Sequence, residues 1–229
     1  MGSYGPPATG DPERRSSSDC RLRGPLRVKP SKPIVFVVDD DTGVREALAS
    51  LIGSVGLRVE CFSAPQEFLR RRHCEGPSCL VLDVRMPGLS GFDLQRELDR
   101  VERRIPIIYI TAHGDIPMAV QAMKAGAIDF LSKPFREEDL LDAVRKALER
   151  DAAFRARQEE VGEIRDRVAR LTARQRQIMS RVVAGKLNKQ TAAELGVTEN
   201  TVKVHRHRIM ERMGATSLAD LIHMLERLG

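Results

Sequence analysis

The sequence predicts an α/β domain on a doubly wound, five-stranded parallel sheet, followed by a small all-α domain. Three observations lead there. Between residues 34 and 150, short β-branched apolar runs alternate five times with amphipathic stretches of helical spacing. Beyond Leu171 no strand pattern remains. The charge divides in step: residues 34–150 carry net −3 and residues 151–229 net +5, within a chain total of +6. Strands apolar on both faces and separated by helices imply a parallel sheet covered on both sides. Right-handed crossovers then leave a doubly wound (βα)5 topology.

Residues 1–33 are rich in Pro, Gly, Ser and Arg, bury too little to offset chain entropy, and read as a disordered tail; the Arg-Ser run at 14–18 reads as solvated chain. The five βα units follow: strand 34–38 and helix 42–54, strand 57–61 and helix 65–72, strand 79–82 and helix 92–101, strand 107–110 and helix 116–125, strand 128–131 and helix 137–150. Residues 151–170 read as a charged helical linker. Its apolar stripe of Val161, Ile164, Val168 and Leu171 is suited to a neighbouring element or a second copy. Residues 171–229 hold four short helices. Thr172 caps the first, Asn188 opens the second before Leu195-Gly196, and Thr198 caps the third, which Gly214 stops.

Several classes drop out. The longest clean apolar run, residues 34–38, is far short of the roughly 20 residues that span a bilayer, and no apolar segment follows the N-terminal arginines as a signal peptide requires. Cys20, Cys61, Cys74 and Cys79 form no CxxC pair, so neither a disulfide framework nor a zinc site is expected. Neither a Walker A motif nor HExxH occurs. The expectation is a cytoplasmic protein with free thiols.

In open parallel sheets, ligands bind at the C-terminal strand ends. Strand one ends in Asp39-Asp40-Asp41, strand three in Asp83, strand four in Thr111 and strand five in Lys133. Clustered carboxylates repel unless a cation sits among them, which implies a hard divalent ion such as Mg²⁺. Asp83 is then placed as a nucleophile toward a phosphoryl group, with Thr111 and Lys133 to hold the transferred oxygens. Each feature alone has a plainer reading: the acid run as a helix cap, Asp83 as a turn residue before Met86-Pro87-Gly88. Together, at four strand ends in chain order, they specify a site.

Residues 171–214 hold nine Lys/Arg and three acids, plus His205 and His207. A short helix, a turn containing Gly and a basic helix describe a helix-turn-helix, whose last helix fits a major groove. Val202, Ile209 and Met213 fall on its core side, and Lys203, Val204, His207 and Arg208 on outward arcs.

Four stretches, Val37-Val38-Asp39-Asp40-Asp41, Leu82-Asp83-Val84-Arg85-Met86-Pro87-Gly88, Ile110-Thr111-Ala112-His113-Gly114 and Phe130-Leu131-Ser132-Lys133-Pro134-Phe135, resemble the receiver domain of two-component response regulators. That resemblance implies phosphorylation of Asp83 by a sensor histidine kinase. It implies Mg²⁺ held by Asp40, Asp83 and the Arg85 carbonyl, with Asp39 acting mainly through water, and Thr111 and Phe130 as switch residues beside Lys133. Leu171-Thr172-Ala173-Arg174-Gln175, Val183-Ala184-Gly185-Lys186-Leu187-Asn188-Lys189, Ala192-Ala193-Glu194-Leu195-Gly196-Val197 and Thr201-Val202-Lys203-Val204-His205-Arg206 resemble LuxR-type DNA-binding domains. Residues 34–229 as a whole resemble the NarL/FixJ family, in its FixJ branch. This resemblance implies base contacts from Lys203, Val204 and His207 and phosphate contacts from Thr201, His205, Arg206 and Lys189. It further implies a homodimer formed on phosphorylation on operator DNA, activation rather than repression, and RNA polymerase as a partner. One departure is Gln175, where the family usually has Glu, so a neutral hydrogen bond is expected in place of a salt bridge.

Two other readings compete. A dehalogenase-like phosphatase needs a second carboxylate two residues after its nucleophile, where Arg85 stands, so an enzyme is not expected. A phosphate sink or protein-binding adaptor would leave the basic helices without specific DNA.

Overall fold

The computed structural model describes residues 1–2, 32–72 and 74–228; the tail expected within 1–33, with Cys20 and the 14–18 run, lies almost wholly outside the described residues. Five parallel strands, β1 (Ile34–Val38), β2 (Arg58–Phe62), β3 (Ser78–Asp83), β4 (Ile107–Thr111) and β5 (Asp129–Ser132), lie in the order β2-β1-β3-β4-β5. The order reverses between β1 and β3, so the crevice sought by ligands opens where Asp39 and Asp83 emerge side by side. Helices α1 (Thr42–Ser54), α2 (Pro65–Arg70), α3 (Gly91–Arg100), α4 (Ile116–Lys124) and α5 (Glu137–Ala169) alternate with the strands.

Because successive strand side chains point to opposite faces, the sheet builds two cores. Phe36, Val38, Leu80, Leu82 and Tyr109 pack with Phe68, Leu94, Leu98 and Ala122 on one face. Val35, Val37, Val81, Ile108 and Ile110 pack with Leu48, Ile52, Leu140 and Val144 on the other. The expected boundaries shift by a residue or two. Strand β2 starts at Arg58, opposite Ile34, rather than at Leu57, which packs as a partly buried residue at its entrance. Helix α2 stops at Arg70 because Arg71 leaves it in extended backbone and turns its guanidinium onto both oxygens of Glu60.

Gly91 opens α3 where a side chain has no room: a Cβ there would lie 2.5 Å from the Asp83 carbonyl oxygen and 3.2 Å from Tyr109. Gly91→Ala is expected to cost about 1–3 kcal/mol through forced backbone movement, read as a lower urea midpoint with unchanged slope.

The helix expected over 137–150 and the helical linker expected over 151–170 are one element. A single 33-residue helix, α5, runs through the linker. Asp151-Ala152-Ala153-Phe154-Arg155 contains no helix breaker, and only the contact pattern changes at that point. The linker stripe finds its neighbour within the same chain. Ile164, Val168 and Leu171 join a third core with α6 (Ala173–Val183), α7 (Asn188–Leu195), α8 (Glu199–Met213) and α9 (Leu218–Glu226). Thr172 caps α6 and Thr198 caps α8, each accepting the N–H three residues on. Gly196, at φ 62°, makes the left-handed turn between α7 and α8. Gln175 accepts from Arg212 at 3.0 Å, the neutral substitute expected for a salt bridge.

Candidate functional site

The loop after β1 brings three carboxylates that separate into three jobs. Asp41 is the cap of α1, accepting the Val44 N–H at 3.0 Å. Asp39 is 1% exposed; one oxygen accepts the Asp41 N–H and the other the Lys133 ammonium at 2.7 Å. Asp40 is exposed at the mouth. Arg45, one turn into α1, donates to the carbonyls of Asp39 (2.7 Å) and Asp40 (2.9 Å) and fixes the loop from below.

Asp83 ends β3 nearly buried. One oxygen accepts Lys133 Nζ at 3.1 Å, the other the Arg85 N–H at 2.7 Å. Burial raises its pKa above the ordinary carboxylate range; Lys133 offsets part of this, and the charge of Asp39 adds to it. Burial alone would lower Lys133, but its bonds to Asp39 and Asp83 outweigh that and hold the ammonium above its usual value. Thr111, 1% exposed, closes the wall and accepts the His113 N–H at 3.2 Å. Phe130 is half-buried 6.5 Å from the Tyr109 ring, its edge against Gly114 next to Thr111.

The structure thus brings Asp39, Asp83, Thr111 and Lys133 together at one sheet edge, with Asp40 and Arg85 at its exposed rim. Two buried carboxylates share one ammonium, which leaves a negative balance, hard oxygen donors and an open side. Among the described residues no group of three or more His, Cys, Asp or Glu is arranged to hold a metal ion. The few hard oxygen donors and the open, exposed side suit a cation that keeps several waters, as Mg²⁺ does.

In α8, Lys203, Val204, His207 and Arg208 are exposed, as is Lys189 on α7. Val202, Ile209 and Met213 are buried beneath them. Thr201, His205 and Arg206 are half-buried. Arg206 donates to Asn188 at 3.2 Å, and His205 sits on the core side with a buried, unpaired Nδ1. Val204 is an exposed apolar side chain among these exposed cations.

Residues 35–145 match the family model for the response regulator receiver domain, and residues 169–225 that for bacterial regulatory proteins of the luxR family. Nodulation protein W of Bradyrhizobium diazoefficiens is 52% identical over 211 residues, 92% of this chain and 93% of that one. The transcriptional regulatory protein FixJ of Rhizobium meliloti is 42% identical over 190 residues, 83% and 93% of the two chains. This chain is a response regulator of the NarL/FixJ family. The structure of response regulator StyR superposes on it with a TM-score of 0.78 at 50% identity, covering 86% of this chain and all of that one.

Some supports of this response regulator were not visible in its sequence. Arg45 works through backbone carbonyls, and no motif flags that. Tyr109 is fully buried and donates to Gln95 at 2.8 Å, which in turn donates to the Ala125 carbonyl at the end of α4. Only an aromatic in an otherwise aliphatic strand hinted at this relay. Among the described residues no helix is long and apolar enough to cross a membrane.

Proposed function

We propose that this response regulator is switched by phosphoryl transfer to Asp83 and that the switched state binds operator DNA as a dimer. The carrying observation is the buried Asp83 held between the Lys133 ammonium and the Arg85 amide beside Asp39. A carboxylate oxygen of Asp83 attacks the phosphorus of a kinase phosphohistidine, the new P–O bond forms as the P–N bond breaks, and the imidazole leaves. Asp40, Asp83 and the Arg85 carbonyl would hold Mg²⁺, with Asp39 reaching it through water; when bound, the ion supplies charge neutralisation for the phosphoryl oxygens. Lys133 stays paired with the new charge. The Thr111 hydroxyl turns to donate to a phosphoryl oxygen, and Phe130 moves into the space beside it.

The dimer face is supported by α4. Ile116, Val120 and Met123 recur at helical spacing and are 81%, 46% and 49% exposed, an unpartnered apolar stripe. In the DNA-reading helix α8, Lys203, Val204 and His207 contact bases and Thr201 and Arg206 contact phosphates, as does Lys189 of α7; a phosphate contact from His205 would need its ring to leave the core side of the helix. RNA polymerase is the expected partner at an activated promoter.

The test is operator affinity by fluorescence polarisation, with and without Mg²⁺ and acetyl phosphate. Tightening of wild type on phosphorylation is the expected result. No specific DNA binding in either state would overturn this reading in favour of a phosphate sink or adaptor. Lys203→Ala is expected to weaken operator binding by about 1–3 kcal/mol and to relax base preference at one position of each half-site. A loss spread uniformly over sequences, with a salt slope smaller by about one charge, would make it a phosphate contact instead.

A further inference from the structure

The strand that carries the phosphoacceptor is held at its other end by the linker helix. Ser78, the first residue of β3, donates its backbone N–H to Asp151 Oδ2 at 2.8 Å across 73 residues of sequence. Asp151 lies on α5 just beyond its sheet-packed stretch and is 3% exposed. Its carboxylate also takes Arg155 Nε at 2.7 Å. Arg155 reaches on to the Cys74 carbonyl (3.3 Å) and the Ser78 hydroxyl (3.5 Å). One turn away, the Arg104 guanidinium covers the Phe154 ring at 5.0 Å. A buried carboxylate is costly to keep unless its partners are fixed, and this one is shared between the start of β3 and Arg155 of its own helix. Asp83 is the last residue of that same strand.

We propose that Asp151, with Arg155 and the Ser78 amide, is a positioning clamp that transmits the phosphorylation state from β3 to the linker helix and so to the DNA-binding domain. This rests on the phosphorylation-controlled reading above. Asp83 and Ser78 are the two ends of one strand in the centre of the sheet, so a shift of β3 at the phosphoacceptor reaches α5 without passing through a loop. Beyond the clamp, Arg167 of the same helix donates to the Met213 carbonyl at the end of α8 at 2.9 Å. The route from Asp83 to the DNA-reading helix therefore consists of one strand, one side-chain cluster and one helix. Asp151 is a positioning residue and touches no phosphoryl group.

Asp151→Ala removes the clamp and keeps a strong helix former. Two readouts are taken on the full-length chain: the ratio of operator affinities with and without acetyl phosphate and Mg²⁺, and hydrogen exchange over residues 152–160 without phosphorylation. Wild type is expected to show a ratio of about 5–150-fold, the usual size of a coupling between sites. Asp151→Ala is expected to take up phosphate on Asp83 normally, show a ratio within about twofold of unity, and exchange faster over 152–160. Asp151→Asn, which keeps the acceptor for Ser78, is expected to restore most of the ratio, a rescue that loss of stability alone would not give. Arg155→Met, a milder cut, serves if Asp151→Ala fails to fold. A folded, phosphorylated Asp151→Ala with the wild-type ratio overturns the clamp. If wild type itself shows no ratio, the phosphorylation-controlled reading fails, and unchanged exchange over 152–160 then overturns the clamp independently.

Discussion

Asp83→Asn is expected to take up no phosphoryl group from acetyl phosphate in the presence of Mg²⁺, and to show the same operator affinity with and without the donor. The nucleophilic carboxylate is lost while the shape is kept: the one carboxamide oxygen can accept from Lys133 or from the Arg85 N–H, which the two carboxylate oxygens take separately, so one of the two bonds is given up. Intact-mass measurement of the added phosphoryl group checks the first half and polarisation the second; phosphorylation of the variant at wild-type level would move the acceptor elsewhere. The same substitution removes a pH-dependent cost. A carboxylate whose folded pKa is raised binds its proton more tightly in the native state, so stability falls as pH rises from the unfolded pKa through the folded one. At pH 7 a neutral Asn escapes that cost, so the thermal midpoint of the variant relative to wild type is expected to rise as pH rises. The difference shrinks as the pH is lowered through the folded pKa toward the unfolded one, below which Asp83 is protonated in both states.

Lys133→Met has the opposite sign. Its ammonium is the shared partner of Asp39 and Asp83, whose side chains are only 1% and 8% exposed. Breaking a buried pair by removing one member typically costs about 3–5 kcal/mol. Lys133 itself is about one-fifth exposed, so about 2–4 kcal/mol is expected near neutral pH. Without the ammonium, Asp83 protonates at still higher pH, and the deficit narrows on acidification. It also narrows on the alkaline side. A lysine raised by its partners stabilises fully below its ordinary 10.5, and that contribution is lost as pH rises through the folded value. Urea midpoints of wild type and variant at about pH 4.5, 7.5 and 11.5 give the profile; a deficit independent of pH would mean lost packing of the lysine stem rather than lost charge.

The pocket was legible because its residues are chemically unlike the strands that present them. Aspartate, threonine or lysine at the end of an apolar run has no packing reason to be there, and parallel strands bring their ends to one edge. The capping hydroxyls and stop glycines of the C-terminal helices were legible for the same local reason. Legibility failed where a residue's job depends on something distant in sequence. Asp151 looks like one more acid in a charged helical stretch until β3 is placed against it. Arg45 looks like a solvated helix cation until the loop carbonyls turn toward it. The continuity of helix and linker across residue 150 was hidden for another reason: apolar periodicity reports what a helix packs on, and it changes there because α5 passes from one core to the next without ending. His205 follows the same logic in reverse. Its spacing from Val202 and Ile209 puts it on the inner face of α8, a fact of helical geometry that its basic neighbours obscured.

A helix that is gripped at both ends has a definite angular phase. Each residue of α5 advances about 100° around the axis and 1.5 Å along it. Asp151 fixes the rotation at one point, and Ile164 and Arg167 fix it again further along. The number of residues between them is thus a structural quantity in its own right. One residue more or less would turn the DNA-reading helix to a different side, whereas seven more, almost two full turns, would return it to within about 20° of its present facing. The linker counts turns, and its sequence is free to vary more than its length.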